Sequence, residues 1–108
     1  MKSKESLTFR RLREQNSARC VEKYHKLDAW STLEWAGALC GEAGEFANIA
    51  KKRKKGKDIP IKELGKELAD IIMYCDLAAA SLGISLEEYV IKKFNEVSKR
   101  HPKSHRRL

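Results

Sequence analysis

Proline occurs only twice in the 108 residues and glycine six times, and no Asn-Gly or Asp-Gly pair marks a tight hairpin. Sustained alternation of apolar and polar residues is missing too, so strands have no support and an all-α chain is the expectation. Cysteines number three, an odd and widely spaced set (Cys20, Cys40, Cys75) without a C-x-x-C pair. They read as reduced, buried thiols in a reducing compartment, and none has a signalled His or Asn partner for nucleophilic chemistry. Long apolar runs are absent: the most apolar stretch, Ile71 to Ile84, is broken by Asp76 and too short to span a bilayer. With a polar, basic N-terminus that lacks a signal-type apolar segment, a soluble, cytoplasmic protein without a membrane partner is expected. A chain of this length buries only about two-thirds of its unfolded surface. One domain over residues 1–108 is therefore expected, with flexible ends at 1–6 and 101–108 and a modest core that a partner chain would help complete.

What the chain has in plenty is charge, and the charge is segregated. Lys and Arg total 23 against 15 Asp and Glu, a net charge of +8. Yet Leu27 to Ala50 contains neither Lys nor Arg, and neither does Glu67 to Ile91. Apart from Lys62 and Lys66, the cations lie in the N-terminal segment, in Lys51 to Lys57 and from Lys92 onward. A site that holds both a metal and a polyphosphate needs both signs, which a uniformly basic surface would not supply.

Helical periodicity and capping signals divide the chain. A first helix over about Thr8 to Tyr24 places Phe9, Leu12, Cys20 and Tyr24 on an inward stripe, with Arg10, Arg11 and Arg13 off it. Ser31-Thr32-Leu33-Glu34 matches a capping box and opens a second helix, about Thr32 to Lys54. Each of its interior glycines costs about 0.5–1 kcal/mol relative to alanine, which predicts close approach of another backbone at Gly37, Gly41 and Gly44. Apolar residues around much of its circumference predict burial on several sides. The run Lys51 to Lys57 supplies a cationic last turn, a glycine stop at Gly56 and a mobile flap. Pro60 opens a third helix, about Ile61 to Leu82, with a core stripe of Leu64, Leu68, Ile71, Ile72, Cys75 and Ala79. A second box, Ser85-Leu86-Glu87-Glu88, starts a fourth helix to about Lys99 with Leu86, Val90, Phe94 and Val97 inward.

Two acidic pairs organise these helices. Glu42 and Glu45 share a face of the second helix, and Glu67 and Asp70 share a face of the third, so like charges adjoin in each pair. Between Ala36 and Ala50 the only charged residues are those two glutamates. Carboxylates held together without a cation are costly, and antiparallel packing would gather four of them into the hard-oxygen set that Mg²⁺ prefers, with Mn²⁺ as the alternative. Lys51, Lys52 and Lys54 are candidate cations for a polyphosphate, Lys52 ahead of its neighbours because it lies seven residues after Glu45 and so nearly on that face. Trp30 and Trp35 offer stacking faces for a base.

The string Leu33-Glu34-Trp35 through Glu42-Ala43-Gly44-Glu45 to Lys51-Lys52, followed by Glu67-Leu68-Ala69-Asp70-Ile71-Ile72-Met73-Tyr74, resembles the MazG-type members of the all-α nucleoside triphosphate pyrophosphohydrolases. Their signature is E-x-x-E on one helix and E-x-x-D on the next, and the resemblance runs from about Tyr24 to Arg100. It implies a bundle of four to five helices completed by oligomerisation, as a homodimer or a dimer of dimers. It also implies Mg²⁺ held by Glu42, Glu45, Glu67 and Asp70, and hydrolysis of a (deoxy)nucleoside triphosphate to the monophosphate and pyrophosphate as nucleotide-pool house-cleaning. Either Glu42 or Glu45 would take the proton of the attacking water. Tyr74 belongs to the same string. Lys93 and Asn95 resemble the family's C-terminal Lys/Asn element, although many relatives place the asparagine where this chain has Val97, and His25 falls in a segment some relatives use near the nucleotide. Two other readings compete. A basic helical nucleic-acid-binding module would account for the +8 but for neither the acids nor the glycines, so a nucleic-acid partner is not expected; a catalytically inactive scaffold of the same family would keep the fold without binding Mg²⁺.

Overall fold

The structure, a computed structural model, describes residues 6–101 and 103–108, and in them four α-helices, one 3-10 turn and no strand. The expected flexible ends fall partly on residues 1–5 and Pro102, outside the described residues. Helix α1 spans Phe9–Lys23, α2 Thr32–Lys54, α3 Ile61–Ser81 and α4 Leu86–Arg100, with the 3-10 turn at Leu27–Ala29. No single described helix is long and apolar enough to cross a membrane.

Local chemistry sets the helix ends. Thr8 Oγ1 accepts from the Arg11 amide at 3.0 Å at the start of α1. Ser31 and Glu34 form the full reciprocal box: Glu34 N donates to Ser31 Oγ (3.2 Å) and Ser31 N to Glu34 Oε1 (3.0 Å). Of the second box, Ser85 Oγ accepts from Glu88 N at 3.2 Å. Pro60 stands at the N-cap position of α3. Gly56 (φ 94°) and Gly83 (φ 68°) close α2 and α3 in the left-handed region that a side chain would strain.

Helices α2 and α3 run antiparallel: Trp35 packs with Leu77, Glu42 meets Asp70, and Ala50 shares a groove with Leu64. Trp35 anchors the small core, 1% exposed, with Nε1 donating to Leu27 O at 3.2 Å and so fixing the 3-10 turn. Burying an indole removes roughly 150–250 Å² from water, at most about 4–6 kcal/mol.

Several expected faces turn out otherwise. Helix α1 presents Arg13, Asn16 and Cys20 to α3, while Phe9 and Tyr24 are exposed. A polar face wins because α3 buries Asp76 there: Arg13 Nε donates to Asp76 Oδ1 at 2.9 Å, and Arg13 Nη1 to Ile84 O at 2.9 Å. On α3 the buried residues are Asp76, Leu77 and Ala79, and Leu68 and Ile72 of the expected stripe face solvent. Trp35 is the buried residue of α2, not one of several around its girth. Among the described residues nothing lies within 4 Å of where a Cβ would stand at Gly37, Gly41 or Gly44, so none of their backbone makes the expected close approach. Cys40, on that open face, is exposed rather than buried, whereas Cys20 is buried and Cys75 partly so; all three are free thiols. Helix α4 bends away from α3 by 109°, and its Val90, Phe94 and Val97 line an open apolar groove instead of a core.

The result is an open protomer. Its radius of gyration is 16.6 Å, against about 13 Å for a closed domain of this size. Its surface of 8730 Å² likewise exceeds the roughly 6,100 Å² that a folded monomer of this mass exposes.

Candidate metal and nucleotide site

Because α2 and α3 are antiparallel, their acidic faces oppose each other. Carboxylate oxygens of Glu42, Glu67 and Asp70 all lie within 4.8 Å of one another, each residue half-buried. Glu45, exposed on α2, stands outside this tightest trio but close enough to act on both Glu42 and Glu67. The electrostatic consequence is plain. Burial, then the carboxylates of Glu45 and Asp70, hold Glu42 above the ordinary glutamate pKa. Burial, then Glu45, Asp70 and Glu42, do the same to Glu67. Burial and the charges of Glu42 and Asp70 also push the Tyr74 phenol up. No lysine or arginine reaches the cluster among the described ion pairs.

Oxygen donors alone, gathered at a spacing one ion could bridge, are the donor set of a hard divalent cation. A second observation agrees: Glu67 Oε2 is buried and has no hydrogen-bond partner. A buried carboxylate oxygen without a partner is a site lacking its positive charge. The four acids therefore fit a divalent metal.

Asp70 also borders a pocket of about 310 Å³. Its walls bring together His25, Trp30, Trp35 and Tyr74, all singled out from the sequence, with Asn16 and Arg19 from α1. The three rings form one cluster, with centroids 4.4 Å apart for His25 and Trp30, 5.6 Å for His25 and Trp35, and 4.6 Å for Trp30 and Trp35. His25 is held by its neighbour, Nδ1 lying 2.8 Å from Lys26 O. Trp35, 1% exposed, backs the other two rings, so His25 and Trp30 are the members of the cluster with a face that could meet a planar ligand.

Three sequence candidates fall elsewhere in the protomer. Lys52 is exposed on the last turn of α2. Lys93 borders the α4 groove with Nζ 3.8 Å from Glu96 Oε1. Asn95 clamps the backbone of Leu108, its Oδ1 accepting from Leu108 N at 2.8 Å and its Nδ2 donating to Leu108 O at 3.4 Å. Conversely, Asn16 was not among the sequence candidates. The one signal for it was Asp76, a lone acid in the most apolar run, which had to find polar partners somewhere.

In this all-helical protein, carboxylates from two antiparallel helices that could hold a metal stand beside a pocket lined by aromatic rings. The model of the MazG nucleotide pyrophosphohydrolase domain matches residues 31–105, and the chain belongs to that family. No curated protein and no solved structure matches it. Helix α1, which supplies Asn16 and Arg19, lies outside the matched residues.

Proposed function

We propose that this protein hydrolyses (deoxy)nucleoside triphosphates to the monophosphate and pyrophosphate with Mg²⁺, as nucleotide-pool house-cleaning in the cytoplasm. The observation that carries the proposal is the meeting of Glu42, Glu67 and Asp70 oxygens within 4.8 Å, beside a pocket with room for a base. Family membership supports the reaction class.

Glu42, Glu45, Glu67 and Asp70 would hold the ion. When bound, it screens phosphate charge and acidifies a water. The protein's own groups do the rest. Stacking on the half-buried His25 and Trp30 rings, backed by Trp35, would fix the base, so that the α-phosphorus lies over the acids with the triphosphate in one orientation. Glu42 and Glu45 adjoin one another at the cluster, so either would receive the proton of the attacking water. Tyr74, kept protonated beside Glu42 and Asp70, would donate a hydrogen bond to a phosphate or sugar oxygen. Lys52, exposed beyond the acidic face, would meet the departing pyrophosphate.

The open shape supports a homodimer or a dimer of dimers as the working form. Exposed Leu68 and Ile72 on α3, the bare glycine face of α2 and the α4 groove are apolar surface that an isolated protomer leaves in water. Lys93 and Asn95, on α4, would act only within such an assembly.

The test is incubation of purified protein with ribo- and deoxynucleoside triphosphates and Mg²⁺, with pyrophosphate and monophosphate quantified. Release from at least one nucleotide, abolished by chelation, is expected. Absence of pyrophosphate from the whole panel would overturn the proposal.

A further inference from the structure

Asn16 is 4% exposed and borders the aromatic pocket, yet it belongs neither to the acid cluster nor to the matched family region. Its amide nitrogen is committed twice: Nδ2 donates to Met73 O at 2.9 Å and to Asp76 Oδ2 at 3.1 Å. Asp76 is itself 1% exposed and fixed by Arg13 through its other oxygen. Reversing the amide would set Asn16 Oδ1 against a carbonyl and a carboxylate, three acceptors with no proton among them. The carbonyl is therefore the part of the amide left for the pocket, and among the described residues no hydrogen bond to it is formed. An acceptor held in one orientation at the wall of a ligand pocket, on a residue otherwise buried, is placed to receive a donor from whatever fills the pocket.

We infer that Asn16 Oδ1 reads the exocyclic amine at the tip of the base, making this a hydrolase of nucleotides whose base is a 4-aminopyrimidine or a 6-aminopurine. The inference rests on the proposed function, because the polarity of the pocket comes from it. With phosphates at the Asp70 end and the ring against His25, Trp30 and Trp35, the edge of the base farthest from the sugar enters first. On cytosine that edge carries the 4-amino group and on adenine the 6-amino group, both donors. Uracil, thymine, guanine and hypoxanthine present a carbonyl oxygen there. That oxygen would face Asn16 Oδ1 with the Asp76 carboxylate behind it, and the donor these bases do carry, the ring N3–H or N1–H, lies one atom further round the edge, so that reaching Oδ1 would require the ring to shift in the pocket. Sites built around a buried hydrogen-bonding group reject a ligand that leaves it unpaired far more strongly than apolar pockets reject a change of shape.

Matched pairs test this in the unaltered protein: dCTP against dUTP and dATP against dITP, which differ at this edge within one ring size. For the ring size that fits, kcat/KM should favour the aminated base by about 10- to 100-fold. Parity, or preference for the carbonyl base, in both pairs would overturn the inference while leaving the hydrolase reading intact. Should no nucleotide yield pyrophosphate, the hydrolase reading fails on its own. Quenching of Trp30 and Trp35 fluorescence by dCMP, dUMP, dAMP and dIMP then applies the same ratio to binding, with parity again overturning the role of Asn16. A third arm uses Asn16→Leu. Where circular dichroism shows it folded, the preference should collapse towards unity, and a folded variant that kept the full ratio would refute the assignment. Where it does not fold, the matched pairs decide.

Discussion

Helix α3 carries two buried or half-buried acidic sites six residues apart, and they are treated in opposite ways. Asp76 receives everything a carboxylate needs from α1: the Arg13 guanidinium at 2.9 Å on one oxygen and the Asn16 amide at 3.1 Å on the other. Asp70 receives more acid: Glu42 and Glu67 converge on it, and one oxygen of Glu67 is buried with no partner. The same helix thus shows a charge the protein satisfies for itself and a charge it leaves for something else to satisfy. The first ties α1 to α3 and fixes Asn16; the second has the makings of a binding site. Acidity alone would not distinguish them, because the difference lies in what the opposing helix presents.

If that contrast is sound, removing an acid should have opposite consequences at the two places. The largest effect is expected at the unsatisfied cluster: Asp70→Ala and Glu45→Ala each reduce pyrophosphate release to background. Both leave the metal-free protein as stable as before or more so, since a repulsive charge has gone. Near-normal kcat in either variant would remove that residue from the ligand set. At the satisfied site the order reverses. Asp76→Ala strands Arg13 and costs about 3 kcal/mol in denaturant unfolding, at the low end for a broken buried pair because Arg13 is partly solvated.

A third experiment uses pH. Glu42 and Glu67 have native pKa values above their ordinary 4.5, so over the interval above 4.5 the folded state binds more protons than the unfolded one. Stability contributed by this cluster is accordingly present below pH 4.5 and lost as pH rises through the native values. Mg²⁺ would bind the ionised acids. At 100 times its dissociation constant it should stabilise the protein by about 2.7 kcal/mol near pH 7.5, and by clearly less near pH 5. Calorimetric scans at both pH values check the sign, and an equal Mg²⁺ effect at the two would contradict it. The smallest effect belongs to a control on the same helix. Glu63 and Lys66 pair at 3.6 Å on the surface, and Glu63→Ala should change stability by no more than about 0.5 kcal/mol.

Much of this was legible in the sequence. The Ser31 box, the glycine stops and Pro60 gave the limits of α2 and α3 to within a residue, because caps and helix propensity act over three or four positions. Glu42, Glu67 and Asp70 were legible for the same reason, as E-x-x-E and E-x-x-D are one-turn spacings. The pocket was half legible: its aromatic side was named, but not Asn16, whose partners are 57 and 60 residues away. The inward faces of α1 and α4 differ from their apolar stripes for separate reasons: α1 turns Arg13 and Asn16 to the buried Asp76, and α4 bends away from α3 so that its stripe lines an open groove.

What the chain alone determined is therefore its helical content, where each helix begins and ends, and which carboxylates share a face, all consequences of local periodicity. Tertiary structure decided which acid is neutralised and which is left exposed to a ligand, which way the Asn16 amide faces, and that Val90, Phe94 and Val97 of α4 lie in an open groove. Those outcomes depend on groups far apart in sequence meeting at hydrogen-bond distance, and a hydrogen bond between α1 and α3 has no signature in the spacing of either helix.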